Sequence, residues 1–367
     1  MENKHITIFH GPQHPGITGN MSVELDLIGE TIQKATTHVG YLHRGFEKLV
    51  ERRTIIQAFT IVCRICVPEP DPNEVNFAMA AEELAGLEIT PRASYIRVLV
   101  LELSRLAAQF LWMAGQSGSI GLYAVGQWAI ADRDLILDLF EELTGARVYH
   151  MYIYPGGVRR DLPDGFLQRV EKVISHLKKR LKDYDDIFIN NASFKNRAIG
   201  VGVISKEEAI KNGYVGQVLR ACGVKADVRK DAPYLVYDEL EFDIPTQEAG
   251  DAYARALVRR EEMNQSIKIL EQIIQKMPDG EVMVKMPTHR KFKLPKNDTW
   301  VKVESARGEF AYYMAGDGTE KIRRMQVRGP SLVHAFTLLE KLLVGAELSD
   351  VALIMNSLGI CPPEIER

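Results

Sequence analysis

One long apolar segment constrains the fold of this chain more than any other feature. Thr90-Pro91 is a favourable helix start, because Thr can cap the first turn and Pro fits the first helical position. The pattern predicts a helix to about Gly115, and apolar residues cover most of its circumference, so it must be buried among other elements. Arg97, Glu102 and Arg105 are spaced through it, which favours a buried core helix over a bilayer span.

Further helices are predicted on both sides of this segment, at about 71–86, 126–144, 164–184 and 246–276. Because short connections join consecutive long helices, they are expected to form a bundle. Residues 5–39 and 281–328 alternate apolar and polar side chains, which is typical of small antiparallel sheets. The predicted fold class is therefore α+β, a central helix bundle with flanking small antiparallel β-sheets.

Three parts follow from this order along the chain. Residues 1–40 are predicted to form an N-terminal β-sheet with a Gly/Pro loop. Residues 41–280 are predicted to form the helical bundle, with an inserted α/β segment at 185–245. Residues 281–367 are predicted to form a C-terminal β-sheet, a helix and a site-forming C-terminal tail.

Charge and cysteine content narrow the possible functions. The chain has 46 Lys plus Arg against 49 Asp plus Glu, a net charge of −3, which gives no support to nucleic-acid binding. Its four cysteines are too few for a disulfide framework and favour a reducing, intracellular location. The sequence contains neither of the two glycine-rich phosphate-loop motifs, so a nucleotide site of those kinds is not predicted.

Two distant segments share one pattern, a Cys followed three residues later by a Glu. They are Cys66 to Glu69 and Cys361 to Glu364, and both run through prolines, which hold the backbone extended. If the segments meet in space, they make one site with two thiols and two carboxylates. Cys63 would share a helix face with Cys66 if the preceding helix reached that far, but a lone C-x-x-C is weak evidence for zinc.

Two side chains and one helix have a plain structural interpretation beside a functional one. His14 lies in the Gly/Pro loop 11–19, which either reaches into a cleft or simply connects two strands. Arg307 precedes a glycine and either points into a cleft or forms a surface salt bridge. The residues alone favour the plain interpretation for both.

Charged residues of the helix at 246–276 are expected to face solvent or a partner: Arg255, Arg259, Arg260, Glu261 and Glu262.

Several motifs occur in an order that is characteristic of one family. They are Gly11-Pro-Gln-His-Pro15, Val39-Gly-Tyr-Leu-His-Arg-Gly-Phe-Glu-Lys48, Pro91-Arg92 with Tyr95-Ile-Arg-Val98, Pro155-Gly-Gly-Val-Arg159 with Asp161-Leu-Pro163, and Ala306-Arg-Gly-Glu309. With them the chain resembles, over essentially its full length, the large catalytic-type subunit shared by complex I and membrane-bound nickel–iron hydrogenases. The resemblance implies a hydrogenase large-subunit-like fold.

Departures from the hydrogenase pattern predict that its metal centre is absent. Hydrogenase members carry R-x-C-x-x-C near the N-terminus and C-x-x-C near the C-terminus, and the second Cys of each pair bridges nickel and iron. Arg64, Cys66 and Cys361 match these motifs, but Glu69 and Glu364 stand at the bridging positions. Carboxylates are harder ligands and suit a low-valent nickel–iron centre poorly. The chain is therefore predicted to bind no metal and not to be a hydrogenase.

Quinone-reducing members of the family differ at other places. They carry a second His in the first loop, a Tyr after the motif that replaces R-x-C, and an Asp near the end of the long helix. Here Thr18, Cys66-Val67 and Ser119 occupy those regions. A quinone-type, complex I-like reductase subunit is therefore the alternative function rather than the first choice.

Two thiols, two carboxylates and proline-rich loops most closely resemble the large subunits of membrane-bound sulfane sulfur reductases. That resemblance implies a ferredoxin-dependent respiratory complex, peripheral on the cytoplasmic face of the cell membrane and coupled to ion translocation. The implied partners are a small iron–sulfur subunit of the complex I B-type with a proximal 4Fe–4S cluster, a ferredoxin-like iron–sulfur subunit, and membrane H-type and antiporter-like subunits. No cofactor is expected in this chain itself.

The implied reaction is reductive cleavage of an S–S bond in polysulfide or another sulfane. Cys66 and Cys361 would bind or attack sulfur, since a thiolate displaces sulfur from a disulfide. The other candidates would hold an anion, deliver protons or line the cleft: Arg64, Arg307, Glu69, Glu364 and His14. Three alternatives stay open, namely inert thiols in a relic pocket, a mononuclear metal on the two Cys and two Glu, and a non-catalytic coupling scaffold.

Overall fold

The N-terminal strands form one antiparallel sheet in the computed structural model, which describes residues 5–14, 20–285 and 292–367. The strands are β1 (His5–His10), β2 (Ser22–Ile28) and β3 (Thr31–His38), in the order β1-β2-β3. Gly29, at φ 66°, lies in the turn between β2 and β3, which confirms the hairpin expected from the alternating pattern. Residues 15–19 of the Gly/Pro loop, Thr18 included, lie outside the described residues.

Two short helices lead to the first cysteine segment. They are α1 (Phe46–Val50) and α2 (Ile55–Val62), followed by a 3₁₀ turn at Cys63–Ile65. Cys66 already has an extended backbone, at φ −125° and ψ 121°, because Pro68 and Pro70 cannot continue a helix. The helix therefore ends before Cys66, and this cysteine does not share a helix face with Cys63.

Three successive helices build the first half of the bundle. They are α3 (Asp71–Ala85), α4 (Pro91–Gly118) and α5 (Tyr123–Thr144). Thr90 caps α4 by accepting a hydrogen bond from the backbone N–H of Ala93 at 3.3 Å, as its sequence predicts. Gly86 and Gly145, both left-handed, end α3 and α5.

The middle of the chain is more helical than predicted. A two-stranded ribbon of β4 (Ile153–Tyr154) and β5 (Gly157–Val158) precedes α6 (Phe166–Tyr184). Residues 185–245, described throughout, contain only turns and short helices: α7 (Ala192–Ala198), α8 (Lys206–Lys211), α9 (Gly216–Arg220) and α10 (Val228–Asp231), with a π turn and a 3₁₀ turn. The expected α/β character of this segment is wrong, because short apolar runs do not distinguish a strand from a packed turn by periodicity.

The last part of the chain returns to strands and then to helices. Helix α11 (Ala252–Lys276) precedes a second antiparallel sheet, β6 (Asp298–Ser305), β7 (Gly308–Ala315) and β8 (Arg324–Arg328). The C-terminal helices are α12 (Ser331–Val333), α13 (Glu340–Leu343), α14 (Val351–Leu358) and α15 (Pro362–Ile365). The architecture is the predicted α+β fold with small antiparallel sheets beside a helix bundle.

Helix α4 lies at the centre of the fold and packs against α5 and α11. Among the described residues it is the one helix long and apolar enough to cross a membrane, with a mean hydropathy of 1.3, but 78% of that window is buried inside the fold. Its two buried arginines are hydrogen-bonded, since Arg97 donates to Glu82 at 2.9 Å and Arg105 donates to the backbone carbonyl of Ser305 at 2.8 Å. It is therefore the core helix that the sequence predicts.

The charged residues of α11 are mostly buried, contrary to the expectation that they face solvent or a partner. Arg255, Arg259, Arg260 and Glu262 are all buried in the fold, and Glu261 is exposed as expected. The cause is that α11 lies between α4, α6 and α14, and neighbouring polar groups satisfy most of its charges. Periodicity of charge alone does not show whether a partner for that charge exists elsewhere in the chain.

The apolar cores do not follow the three predicted parts. One core joins the bundle to the second sheet, and another joins β2 and β3 to the C-terminal helices. An isolated antiparallel β-bridge between Thr31 and Glu347 links the N-terminal sheet directly to the C-terminal part of the chain. The division at residues 40 and 280 stays a prediction about folding units.

Removing the partner of a buried guanidinium tests this scaffold. Glu82 also accepts a hydrogen bond from the N–H of Gly156 at 2.6 Å. In Glu82→Ala, Arg97 keeps its hydrogen bonds to the carbonyls of Tyr154 and Gly157 but is left buried without a counter-ion, so the free energy of unfolding is expected to fall by about 3–5 kcal/mol. Glu141→Ala is the control, since this exposed partner of Arg147 should contribute less than about 1 kcal/mol. Urea denaturation of the purified chain measures both, and equal losses would contradict the scaffold role.

Candidate active site

The two cysteine segments meet in the interior of the protein. The Sγ atoms of Cys66 and Cys361 lie 3.8 Å apart, although 295 positions separate them in the sequence. Both thiols are buried, and so are the carboxylates of Glu69 and Glu364. The structure thus assembles two thiols and two carboxyls in one enclosed cluster, which we call the thiol cluster.

One glycine and two prolines determine how the C-terminal tail places the thiol of Cys361. Gly359 ends α14 at φ 69°, a conformation that favours glycine. Cys361 then adopts an extended backbone, and the Pro362-Pro363 pair begins α15 immediately after it. The N–H of Cys361 donates to the hydroxyl of Ser331 at 3.1 Å, which holds the tail against the start of α12.

Arg307 brings the positive charge into the thiol cluster. It lies in the turn between β6 and β7, where Gly308 has φ 125°. Its Nη2 atom donates to the Sγ of Cys66 at 2.6 Å and to Glu364 at 3.2 Å, and it lies 3.9 Å from Glu69. Arg307 is only 5% exposed, so the interpretation as a surface salt bridge is wrong.

Backbone N–H groups hold both carboxylates. The two oxygens of Glu69 accept from the N–H of Ala306 at 2.9 and 2.7 Å. Glu364 accepts from the N–H of Ser331 at 2.8 Å, and its carboxylate lies where a side chain at Gly329 would stand. Burial raises the pKa of Glu69 above its ordinary value, which favours the protonated acid.

The two thiols titrate as a pair. The hydrogen bond with Cys66 lowers the pKa of Cys361, while burial raises the pKa of Cys66 well above its ordinary value. Arg307 favours the first negative charge on the pair, and the low-dielectric surroundings oppose a second. The cluster is therefore suited to one thiolate and one thiol.

Two predicted site residues lie apart from these contacts. The guanidinium of Arg64 contacts the Sγ of Cys63 at 3.5 Å and the Sδ of Met151 at 3.7 Å. Burial raises the pKa of Cys63 to about 12, so this neighbouring thiol stays protonated. The exposed His14 packs against His10 with ring centroids 3.8 Å apart and the rings tilted by 42°, and the contacts described for the thiol cluster do not include it.

Several residues that shape the cluster carry no signal in the sequence. Ala306 acts through its backbone N–H, and Ser331 acts through its backbone N–H and its hydroxyl, so neither belongs to a recognisable chemical pattern. Tyr149 packs over Arg64 with 5.4 Å between the guanidinium carbon and the ring centroid. Tyr149 also has a left-handed backbone, at φ 61°, which is rare for an aromatic residue and is invisible in a sequence. These contributors are identified by their contacts alone.

The donor set does not fit a nickel–iron centre. Cys66, Cys361 and Glu364 offer ligand atoms that lie within 4.8 Å of one another, which supplies two thiolates rather than four. The guanidinium of Arg307 already donates to Cys66 and Glu364, where a bound cation would meet its positive charge. A single soft metal on these three donors is the remaining metal hypothesis, and the chemistry of the thiol pair does not require it.

Neutralising Arg307 should make the thiol pair harder to ionise. In Arg307→Gln the pKa of Cys361 is expected to rise, because the cation that favours its thiolate is lost, and its alkylation rate at pH 7.5 should fall roughly tenfold. Iodoacetamide labelling followed by peptide mass spectrometry measures this rate for each cysteine. Arg64→Gln is the matched control and should leave Cys361 unchanged, because that guanidinium contacts Cys63. An unchanged rate in Arg307→Gln would show that Arg307 does not control the pair.

Comparison with known proteins identifies the family. The family model for the 49 Kd subunit of the respiratory-chain NADH dehydrogenase matches residues 119–292 and 285–367. The D-type subunit of the NADH-quinone oxidoreductase of Thermosipho melanesiensis is 44% identical over 364 residues, covering 99% of each chain. The D-type subunit of the F(420)H(2) dehydrogenase of Methanosarcina mazei is 39% identical over 371 residues, covering 100% of this chain and 99% of its own.

A solved structure has the same fold. It is that of the membrane-bound sulfane sulfur reductase, an archaeal respiratory membrane complex, and one of its chains is 45% identical to this one. The match has a TM-score of 0.96 and covers 100% of both chains. The resemblance inferred from the motifs is confirmed, and this chain belongs to the complex I 49 kDa subunit family, the oxidoreductase-type subunits of respiratory complexes that are related to the hydrogenase large subunit.

Proposed function

We propose that this chain is the catalytic-type subunit of a membrane-bound, ferredoxin-dependent respiratory complex that reduces polysulfide or another sulfane. The observation that carries the proposal is the buried pair of Cys66 and Cys361, 3.8 Å apart, with a guanidinium on one sulfur. A pair at this distance can alternate between dithiol and disulfide with little movement. The similarity to a sulfane sulfur reductase chain supports the same substrate class.

The proposed reaction begins with thiol exchange. The thiolate of the pair attacks one sulfur of an S–S bond, and the bond breaks as the other sulfur leaves as a sulfide or thiolate. The second cysteine then attacks the resulting mixed disulfide, releases the remaining sulfur fragment and closes the Cys66–Cys361 disulfide. Arg307 donates to the sulfur of Cys66, so it stabilises negative charge on the pair both when a thiolate forms and when one leaves.

Two electrons and two protons complete the cycle. The electrons reduce the Cys66–Cys361 disulfide back to two thiols, and in the proposed complex a 4Fe–4S cluster of the partner subunit would supply them singly. The protons that the two cysteines give up during the exchange leave with the sulfur fragments as hydrosulfide or thiol, and the two protons taken up with the electrons restore the thiols. Glu69 and Glu364 are buried next to Arg307 and would supply these protons, with Glu69 kept protonated because burial raises its pKa.

The proposed complex has the partners that the family resemblance implies. A small B-type iron–sulfur subunit would lie beside the thiol cluster, and a ferredoxin-like subunit would feed it. H-type and antiporter-like subunits would hold the chain at the cytoplasmic face of the membrane and translocate ions. Relatives named as quinone oxidoreductases support a quinone reductase as the second candidate, and a coupling scaffold is the third.

Replacing both thiols tests the reaction directly. The Cys66→Ala/Cys361→Ala complex is expected to reduce polysulfide at least about 100-fold more slowly than the unmodified complex, because both nucleophiles are lost. Reduction of the iron–sulfur clusters by ferredoxin, followed by electron paramagnetic resonance, should be unchanged. Cys222→Ala is the matched control, since that buried thiol donates to the carbonyls of Ile204 and Val218.

Three results would contradict this proposal. Full polysulfide reduction by the double variant would assign the chemistry to the partner's cluster and leave this chain a scaffold. Stoichiometric nickel in the purified complex together with hydrogen evolution would mean that Glu69 and Glu364 can replace bridging thiolates. Quinone reduction without polysulfide reduction would favour the second candidate.

The role of Glu69 as an acid predicts a change in the pH profile. The protonated acid donates, so the rate should fall as pH rises through the raised pKa of Glu69. Glu69→Gln is expected to lower kcat by about 100-fold, leave KM nearly unchanged and remove this alkaline limb. Glu74→Gln is the buried control: burial raises the pKa of Glu74 to about 7, but its carboxylate accepts from the N–H groups of Tyr152 and Ile153. An alkaline limb that survives in Glu69→Gln would assign the proton to another group.

A further inference from the structure

A small cavity lies next to the thiol cluster and takes no part in the exchange chemistry. Its volume is about 40 Å³, and its walls include Pro68, Leu111, Trp112, Arg259, Arg307 and Ile360. Pro68 is two residues from Cys66, and Ile360 directly precedes Cys361. One wall is apolar and aromatic, and the cations of Arg259 and Arg307 contribute to the rest.

Arg259 has hydrogen-bonding capacity that the described residues do not use. It is 2% exposed, and its Nη1 atom donates to the side-chain oxygen of Gln109 at 3.0 Å and to the carbonyl of Ala306 at 3.3 Å. Its Nε and Nη2 atoms have no partner among residues 5–14, 20–285 and 292–367, and neither does Nε of Arg307. Buried N–H groups of a cation are costly to leave unsatisfied, so they point to a missing acceptor.

The local charge balance favours an anion at this place. The carboxylate of Glu262 lies 2.5 Å from Arg220 and also accepts a hydrogen bond from Gln217. Its negative charge is therefore shared with Arg220 and does not balance Arg259 alone. The pKa of His334 is lowered to about 3, first by burial and then by the nearby cations Arg259, Arg255 and Arg307. The carboxylates of the thiol cluster, Glu69 and Glu364, bind backbone N–H groups and Arg307.

Packing holds the guanidinium of Arg259 at the cavity. Its carbon lies 5.1 Å from the ring centroid of Trp112, and a Cβ at Gly359 would overlap its Nη2 atom. The glycine that turns the chain towards Cys361 therefore also makes room for this cation. The indole N–H of Trp112 in turn donates to the carbonyl of Asn356 at 3.1 Å.

We propose that the cavity between Arg259 and Arg307 is an anion subsite that holds the charged terminal sulfur of a polysulfide while an inner S–S bond lies at the Cys66–Cys361 pair. This assignment rests on the proposed sulfane reduction. The volume is enough for about three water-sized atoms, which matches a short chain end. The apolar wall of Ala108, Leu111 and Trp112 suits polarisable sulfur, and the unused N–H groups suit its negative charge.

The subsite predicts that the enzyme distinguishes charged from neutral sulfanes. In the intact complex, Arg259→Gln is expected to raise KM for inorganic polysulfide by about 10- to 100-fold and to change KM for neutral dimethyl trisulfide less than about twofold. Arg259→Lys should restore part of the preference, because it keeps the charge. Arg255→Gln is the matched control, since that buried guanidinium binds Ser357 and the carbonyl of Gly202 instead. If Arg259→Gln changed KM equally for both substrates, the anion subsite would be overturned and Arg259 would have only a structural role.

Iodide is a second probe that needs no activity. Crystals of the intact complex soaked in iodide should show an anomalous peak between Arg259 and Arg307, and this peak should be absent in Arg259→Gln. No peak in the unmodified complex would overturn the anion subsite even if polysulfide is reduced. A peak in a complex that reduces no sulfane would confirm the anion subsite and overturn the sulfur substrate, which separates the failure of one proposal from the failure of the other.

Discussion

The contact of the Arg307 guanidinium with a thiol and a carboxylate is the interaction on which the site depends. Burial raises the pKa of Cys66 and of Glu69, and the cation of Arg307 opposes this effect by favouring negative charge on the thiol pair. Arg307 can supply its positive charge there because a turn between β6 and β7 brings it to the loop of Cys66 and to the tail of Glu364. The second sheet, the first cysteine loop and the C-terminal tail must therefore all dock before any of the proposed chemistry is possible.

A second set of buried contacts holds that turn in place. The carbonyl of Ala306 accepts from Gln109 on α4, from Gln217 on α9 and from Arg259 on α11. Three helices thus determine where the residue before Arg307 lies. Buried polar networks of this kind contribute little net stability compared with apolar packing, but satisfying their members together leaves few alternative arrangements. We infer that the burial of charge on α4 and α11 serves the geometry of the site more than the stability of the fold.

Much of the architecture could be predicted because it depends on local rules. The apolar circumference of α4, the cap at Thr90 and the glycines that end helices are readable without tertiary information. The two Cys-to-Glu segments are readable as well. The backbone is extended at Cys66 and Cys361 as expected, but Pro362 and Pro363 begin the short helix α15, which carries Glu364. The surroundings of charged residues are not readable: Arg259 and Glu262 look like solvent-facing residues of an amphipathic helix, yet they are buried. Arg64 looks like a partner of Cys66, yet the chain turns so that it contacts Cys63.

Short-range spacing and residue chemistry were sufficient to predict the long helices, the strand pairs and the identities of the thiols and carboxyls, and the family followed from the resemblance of the motifs. They were not sufficient to predict that Cys66 and Cys361 lie 3.8 Å apart, that one guanidinium contacts both a thiol and a carboxyl, or that a second one lines a small cavity. Those features depend on how the chain packs, because the pKa of a buried group and the partner of a buried charge are set by the groups that surround them in three dimensions. In this protein those groups come from residues hundreds of positions apart.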